Sequence, residues 1–142
     1  MAAIILTIQT SYSQEVYKEA LLSYDSSEEA SDGPTRILFV FDASNSMNAF
    51  WSGERKIKLA TKLLSTSLAA LYGTADLELG LRVYGHQTKH VEGQQDCDDT
   101  ELIVPIKHGS NLIIKQELSR LRAQGTTPIA RSLEKAAGDF PE

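Results

Sequence analysis

The sequence lacks the features that mark several classes of protein. It has a single cysteine, Cys97, which excludes a disulfide within the chain. No apolar run is long enough to cross a bilayer as a helix. The formal net charge of −5 argues against binding to nucleic acids and to anionic membranes. What is present, 142 residues of which 42% are hydrophobic and 23% are charged, fits one globular domain with a hydrophobic core.

The N-terminal sequence differs in character from the rest. Residues 1–13 contain a short apolar run followed by small polar residues at Ser11 and Ser13, which is typical of the end of a secretory signal peptide. No positively charged residue comes first, so a frayed N-terminus is the alternative. Residues 14–35 are polar and acidic, and we interpret them as a linker with one short helix over 15–22. A cleaved signal would place the mature protein outside the cytoplasm, in the periplasm, on the cell surface or secreted.

Three segments have the patterns of β-strands. Ile37–Phe41 is apolar without a break, which predicts a strand buried on both faces in the middle of a parallel sheet. Asp76–Tyr84 alternates between apolar and other residues, which predicts a half-buried strand. Thr100–Ile106 is a third strand, and Pro105 restricts it to an edge of the sheet because proline has no backbone N–H to donate.

Three further segments have the apolar spacing of helices. The first is Glu54–Tyr72, which Gly73 is expected to close. Ser110 is expected to cap a second helix that ends before Gly125. Thr127 is expected to cap a third, with Pro128 at its first position. One face of this third helix would carry the apolar side chains of Ile129, Leu133, Ala136, Ala137 and Phe140, and the strand expected to help bury them would lie beyond Glu142.

The order strand, helix, strand, strand, helix, helix predicts an α/β fold. We expect a Rossmann-like doubly wound sheet with central parallel strands and an antiparallel edge strand. A strand buried on both faces needs a neighbour on each side, and only Asp76–Tyr84 is available beside Ile37–Phe41. We therefore expect residues 36–142 to form the N-terminal part of a domain whose sheet is incomplete at the C-terminus.

Three oxygen-bearing side chains follow the first strand directly. Asp42, Ser44 and Ser46 are spaced by two residues, so that in an extended turn they point in the same direction. Ligands of doubly wound sheets bind at the carboxyl ends of the strands, which is where these residues lie. Hard oxygen ligands suit Mg²⁺, Mn²⁺ or Ca²⁺, and the small number of carboxylates favours Mg²⁺.

The Asp-x-Ser-x-Ser pattern after "ILFVF" resembles the first metal loop of a von Willebrand factor type A domain. The stretch "QGTTPIARSLEKA" is similar to that family's second loop, with Thr127 as the best match for its metal-binding threonine and Thr126 as the alternative. The stretches "LELGLRVYGH" and "DCDDTELIVPI" look like the bacterial secreted members. The family's third-loop aspartate would follow the next strand, beyond Glu142.

The resemblance implies a binding function rather than an enzymatic one. Asp42, Ser44, Ser46 and Thr127 would hold a divalent cation that lacks one ligand until an acidic side chain of a protein partner supplies it. Two alternatives stay open. Asp42 could be the nucleophile of an aspartyl-phosphate phosphatase, although Ser44 stands where those enzymes place a second acid. The domain could also have a metal-free role in structure or assembly, in which Ser44 and Ser46 only cap and turn the chain.

Two other groups of residues have two interpretations each. The loop between the second and third strands could bind Zn²⁺, but its spacing fits no zinc pattern and a solvated acidic loop is favoured. Its candidate ligands are His86, His90, Asp96, Cys97, Asp98 and Asp99. Phe50 and Trp51 follow the predicted metal loop and either rim a partner-binding face or cover the core.

Overall fold

The computed structural model of the protein describes residues 33–142. The predicted signal peptide and the helix over 15–22 lie outside the described residues. In chain order the elements are β1 Thr35–Asp42, a short 3-10 helix Asn45–Asn48, β2 Phe50–Trp51, β3 Glu54–Arg55, α1 Lys56–Ala70, β4 Leu77–Tyr84, β5 Thr100–His108, α2 Asn111–Arg120 and α3 Ile129–Ala137. Among these helices none combines the length and the apolar character that a membrane span requires.

The main sheet has three strands in the order β1-β4-β5. β1 and β4 are parallel, and β4 and β5 are antiparallel. The predicted α/β class, with parallel strands and an antiparallel edge strand, is therefore confirmed. Helices flank the sheet, and the crossover from β1 to β4 runs through α1, as a parallel connection requires.

The burial of the two parallel strands is the reverse of what the sequence predicted. β4 is the central strand, and every residue except Glu78 is buried. In β1 only Phe41 is buried, and the preceding side chains Ile37–Val40 are half-buried. The cause is topology, since within residues 33–142 β1 pairs on one side only. β4 is buried on its second face as well, where Gly80 has no side chain and Arg82 is paired with an acid.

β5 is the edge strand that Pro105 predicted, and its pairing with β4 is irregular there. Leu79 pairs with Lys107 and Leu81 pairs with Val104, so Pro105 and Ile106 both lie opposite Gly80. Two residues opposite one define a β-bulge. The exposed Pro105 thus lies in the bulge, where no hydrogen bond of the ladder requires its missing N–H.

The hydrophobic core lies between one face of the sheet and the helices α1 and α2. Leu79, Leu81 and Val83 of β4 contribute one row, because alternate residues of a strand share a face. Leu68 of α1 and Ile114 of α2 are fully buried against the same cluster. Asn111, at the start of α2, donates from Nδ2 to the Leu68 carbonyl at 2.9 Å and joins the two helices.

The apolar stripe predicted for α3 is mostly exposed within residues 33–142. Ile129, Leu133 and Phe140 are 50%, 56% and 45% exposed, and the fully or largely buried positions of the helix are Ser132 and Ala136. α3 therefore approaches the second face of the sheet through small side chains. This close approach is compatible with Gly80 on that face, whereas the larger apolar side chains point elsewhere.

Neither predicted serine or threonine cap forms. Ser110 Oγ donates to the Lys107 carbonyl at 3.0 Å instead of capping α2, which ends earlier than expected, at Arg120. Pro128 occupies the N-cap position of α3, and the Thr127 side chain makes no capping hydrogen bond there. Proline cannot donate, but its carbonyl accepts from the backbone N–H and the hydroxyl of Ser132, at 2.9 and 2.8 Å.

Candidate metal centre

The candidate centre lies where the parallel strands end. Asp42 is the last residue of β1 and pairs in register with Tyr84, the last residue of β4. The chain beyond Asp42 turns through the buried residues Ala43 and Ser44 into the 3-10 helix. This is the carboxyl edge of the sheet, which the sequence predicted as the location of the site.

The three side chains of the first loop lie together. The Asp42 carboxylate accepts a hydrogen bond from the Ser44 backbone N–H at 2.7 Å, and this bond fixes the turn. The hydroxyl oxygens of Ser44 and Ser46 are 3.2 Å apart. Ser44 does not cap the 3-10 helix with its side chain, so helix capping does not account for its hydroxyl. One carboxylate and two hydroxyls are hard ligands of the kind that Mg²⁺ accepts.

The Asp42 carboxylate changes the acidity of its neighbour on β4. Burial, the negative charge of Asp42 and a hydrogen bond to its carboxylate together raise the pKa of Tyr84 from 10.0 to about 12. The Tyr84 phenol therefore stays protonated and is available as a donor to Asp42.

The second loop is held against the first by two backbone hydrogen bonds. The Asn45 N–H donates to the Gly125 carbonyl at 2.8 Å, and the Gln124 N–H donates to the Ala43 carbonyl at 3.1 Å. Ser44 and Gly125 form a parallel bridge between the two loops. The loop that carries the two threonines is thus placed directly beside Asp42, Ser44 and Ser46, as the resemblance implied.

The two threonines of the second loop differ in what their hydroxyls do. The Thr126 hydroxyl donates to the Asp96 carbonyl at 2.6 Å and holds the loop that precedes β5. Thr127 is exposed, and within residues 33–142 its hydroxyl has no hydrogen-bond partner. Thr127 lines the same cleft as Ser46, so it is the threonine whose oxygen is available to a ligand in that cleft.

Two glycines permit this close approach of loops. Gly85 follows β4 with φ +72, and a Cβ atom there would lie 2.7 Å from the backbone of Ser44. A Cβ atom at Gly125 would meet the carboxylate of Asp99 and would lie 2.7 Å from the Thr88 carbonyl. A side chain at Gly85 would therefore collide with both candidate metal loops, and one at Gly125 would push the second loop away from Asp99 and Thr88.

Asp99 is a positioning residue that the sequence did not reveal. It was expected to lie in a solvated acidic loop, but it is completely buried. Its carboxylate accepts backbone N–H bonds from His86, Gln87 and Thr88 at 3.0–3.1 Å. These bonds fix the turn after Gly85 and hence the surface on which the second loop rests. A single acid before a strand gives no periodic signal that would distinguish it from its exposed neighbours.

Zinc binding by the same loop has no structural support. Within residues 33–142, His, Cys, Asp and Glu side chains nowhere form a group of three that could hold a metal ion. Cys97 is exposed, and Asp96 accepts from the Thr88 hydroxyl and the Asp98 N–H at 2.8 and 3.0 Å, contacts that lower the pKa of Asp96. Asp96 thus accepts hydrogen bonds from within the loop itself.

A cleft of about 600 Å³ opens beside Ser46 and Thr127. Its walls are Asn45, Ser46, His90, Gly93, Gln94, Gln95, Gly125, Thr126 and Thr127. The cleft is therefore bounded by both candidate metal loops and by the loop before β5. It is large enough for a side chain of a partner, and its walls carry no acid that would repel a carboxylate.

Phe50 and Trp51 do not cover the core. They are 70% and 68% exposed on β2, which pairs with β3 as a two-residue hairpin. Ser52 and Gly53 form its turn, both with positive φ, as the tightest hairpins require. The interpretation that these aromatic side chains cover the core is therefore wrong. The alternative, that they rim a partner-binding face, stays a prediction.

The fold and the loop cluster together define an α/β protein with an oxygen-rich site at the carboxyl edge of a mixed sheet. No protein-family model matches the chain. Its sequence is 33% identical over 108 residues to the uncharacterized protein YwmD of Bacillus subtilis (strain 168), covering 75% of this chain and 47% of that protein. The chain thus spans about half the length of the curated relative that it matches.

Two solved structures share the fold. One is an aerotolerance-related membrane protein from Bacteroides fragilis NCTC 9343, crystallised with multiple mutations to serine, with a TM-score of 0.53 and 23% identity over 73% of this chain and 45% of that one. The other is an uncharacterized membrane-spanning protein from Vibrio fischeri, with a TM-score of 0.53 and 20% identity over 73% and 48%. At these identities the comparison shows the Rossmann-like α/β fold and nothing finer.

Proposed function

We propose that this protein is a divalent-cation-dependent protein-binding module of the von Willebrand factor type A kind, acting outside the cytoplasm. Asp42, Ser44, Ser46 and Thr127 would hold Mg²⁺, or Mn²⁺ or Ca²⁺ in its place. An acidic side chain of a partner protein would enter the cleft above them. The proposal is one of binding rather than catalysis, because Ser44 stands where a phosphatase of the aspartyl-phosphate type needs its acid.

The observation that carries the proposal is the meeting of two distant segments at one cleft. The hydroxyls of Ser44 and Ser46 lie 3.2 Å apart beside the Asp42 carboxylate, and the uncommitted hydroxyl of Thr127 borders the same cleft as Ser46. The donor set is one carboxylate and three hydroxyls, all hard oxygens. Helix capping accounts for none of the three hydroxyls.

Each side chain has a distinct part in this arrangement. Asp42 supplies the negative charge, and its turn bond from the Ser44 N–H keeps the carboxylate in place. Ser44 is buried and positions its hydroxyl rigidly, whereas Ser46 and Thr127 are exposed to the cleft. A bound cation would supply an electrostatic anchor for a partner's carboxylate, because one protein carboxylate neutralises only half of the charge of a divalent cation.

The test is a calorimetric titration of the protein with Mg²⁺ and with Mn²⁺. Ser46→Ala should weaken cation affinity by about ten-fold or more, since changes near a metal of this kind cost 10–100-fold. Ser46 is exposed, so this substitution leaves folding intact. The control is Ser67→Ala, which removes a hydroxyl that is exposed on α1 and bonded to the Leu63 carbonyl.

Thr127→Ala is the second variant, because it removes an oxygen from the other loop. It should weaken cation binding in the same way and leave the circular dichroism spectrum unchanged. Equal affinities for the original protein, Ser46→Ala and Thr127→Ala would refute the assignment. Phosphatase activity that disappears in Asp42→Asn would instead support the enzymatic alternative.

A further inference from the structure

A groove on the α1–α2 side of the molecule carries a concentration of positive charge. This basic groove has a volume of about 750 Å³. Four cationic side chains line it, from Arg55, Lys58, Lys62 and Arg122. Apolar side chains also line it, from Ile57, Leu118, Leu121 and Ala123. No acidic side chain is among the residues that line it.

The basic groove stands out against the charge of its own domain. Residues 33–142 contain thirteen basic and thirteen acidic residues, so this part of the chain is neutral overall. The whole net charge of −5 therefore lies in residues 1–32. Four cations without an acid in one groove of a neutral domain form a local positive field, and such fields attract acidic partners.

The cations of the basic groove make no ion pair within the described part of the chain. Across residues 33–142, Arg55, Lys58, Lys62 and Arg122 make no salt bridge, whereas Arg120 nearby pairs with Glu117 at 3.0 Å. Like charges gathered without acids repel one another and lower the stability of the fold. Stability of the domain does not explain the arrangement, but binding of an acidic ligand would.

The basic groove begins where the metal loop ends. Asn48 closes the 3-10 helix of that loop and is also part of the groove wall. Its Nδ2 donates to the Ala123 carbonyl at 2.7 Å, and its Oδ1 accepts from Arg55 at 3.3 Å. Gln124, which anchors the second metal loop to Ala43, lines the groove as well. A bound chain could therefore extend from the cleft into the groove.

We propose that the basic groove binds an acidic, partly apolar segment of the partner protein, next to the carboxylate that the metal cleft takes. The acidic side chains would face Lys58, Lys62, Arg55 and Arg122, and the apolar side chains would rest on Ile57 and Leu121. This inference rests on the proposed function only in assigning both contacts to one partner. The groove contact itself requires no cation.

A protein segment fits the basic groove better than a membrane surface does. The groove is concave, and its apolar residues lie between two helices, where a chain can enter but a flat bilayer cannot reach. The walls supply both kinds of contact that a peptide needs, charge for affinity at a distance and apolar area for close packing. Arg55, which lines the groove, also lies 6.0 Å from the ring centre of the exposed Phe50.

The experiment measures binding of a fluorescent synthetic peptide of Asp, Glu and Leu residues to the full chain, in EDTA and in Mg²⁺. The double variant Lys58→Glu with Lys62→Glu reverses two charges on one wall of the groove, both on exposed side chains. Its matched control is Lys107→Glu with Lys115→Glu, two exposed lysines outside the groove. A peptide with Asn and Gln in place of Asp and Glu controls for charge.

In EDTA, the groove variant should bind the acidic peptide about ten-fold or more weakly than the control variant, and rising salt should weaken binding to the original protein. Equal loss in both double variants would overturn the proposal, because net charge alone would then explain binding. Preference of the original protein for phosphatidylserine vesicles over the peptide would also overturn it. If EDTA binding is groove-dependent but Mg²⁺ adds nothing and Ser46→Ala changes nothing, the groove proposal stands and the proposed function fails.

Discussion

At the scale of single residues, the carboxyl edge of the sheet combines one charge with several neutral oxygens. Asp42 carries the charge, Ser44 and Ser46 supply hydroxyls, and the neighbouring Tyr84 stays protonated. Tyr84 is only 7% exposed, and this burial is the main cause of its raised pKa. The titration of Tyr84 can be measured.

We expect Tyr84 to make the protein sensitive to alkaline pH. Between pH 10 and about 12 the unfolded chain loses the Tyr84 proton that the folded chain keeps. The folded state then binds more protons, so the free energy of unfolding must fall as pH rises through this window. Urea unfolding in EDTA, at pH 8 and at pH values above 10, would measure the fall.

Tyr84→Phe is the matched comparison for that experiment, because it removes the ionisable group and keeps the ring. The fall in stability above pH 10 should be smaller in this variant than in the original protein. Tyr72→Phe, at a tyrosine that is 68% exposed, is the control and should leave the fall unchanged. An identical pH dependence with and without the Tyr84 hydroxyl would contradict the raised pKa of Tyr84.

At the scale of elements, the central strand β4 depends on the absence of a side chain at Gly80. A Cβ atom there would lie 2.7 Å from Cγ1 and 3.1 Å from the backbone nitrogen of Ile106, in the bulge of β5. Leu38 of β1 is also close, at 3.0 Å. The bulge and the glycine are therefore one feature, since the extra residue of β5 occupies the space that a side chain would need.

Gly80→Ala should destabilise the protein by about 1–3 kcal/mol, the usual cost of adding atoms to a packed core. Thermal unfolding followed by circular dichroism would measure the change. Gly33→Ala is the control, because a Cβ atom at Gly33 meets nothing within 4 Å. Equal melting temperatures for the two variants would contradict this prediction. They would show that the bulge shifts to accommodate the added methyl group.

Most elements could be predicted from the sequence, but their burial could not. The apolar run of Ile37–Phe41 and the alternation of Asp76–Tyr84 each identified a strand correctly. The prediction of their relative burial was wrong because burial depends on strand order. The periodicity of a single segment does not reveal strand order. The helix α3 was predicted correctly, but its periodicity did not show that Ser132 and Ala136, rather than the larger apolar residues, are its buried positions. Pro105 predicted the edge correctly because its missing N–H acts locally.

At the scale of the whole molecule, an ion pair rather than a hydrophobic stripe attaches α3 to the sheet. Arg82 of β4 donates two hydrogen bonds to the carboxylate of Asp139, just beyond α3, at 2.6 and 2.7 Å. The side chains are only 7% and 10% exposed. Arg82 also donates to the Thr100 hydroxyl of β5 at 3.1 Å. One arginine thus joins two strands and a helix end.

Asp139→Ala should cost about 3–5 kcal/mol of stability, because it leaves the Arg82 guanidinium buried without its counter-charge. The control is Glu134→Ala, which breaks an exposed ion pair with Arg131 and should cost less than about 1 kcal/mol. Chemical denaturation would give both values. Similar small losses in the two variants would mean that α3 is held in another way.

The candidate site was predicted in part. The spacing of Asp42, Ser44 and Ser46 is local, so the sequence alone indicated that they lie together at the end of a strand. The approach of Thr127 depended on the family resemblance, because residues so far apart in sequence carry no sign of contact. Asp99 and Gly85 support the site through backbone geometry, which a single sequence does not display.

The hydrogen bonds between the two loops have a consequence for folding order. Asn45 and Gly125 are 80 positions apart in the sequence, and Gln124 bonds back to Ala43 over a similar distance. Contacts of such separation carry the entropy of closing a long loop, so they form after the sheet that brings them together. The site therefore cannot exist in a short peptide containing Ile37–Asn48. It arises only as a product of the completed chain fold, late in folding and lost early in unfolding.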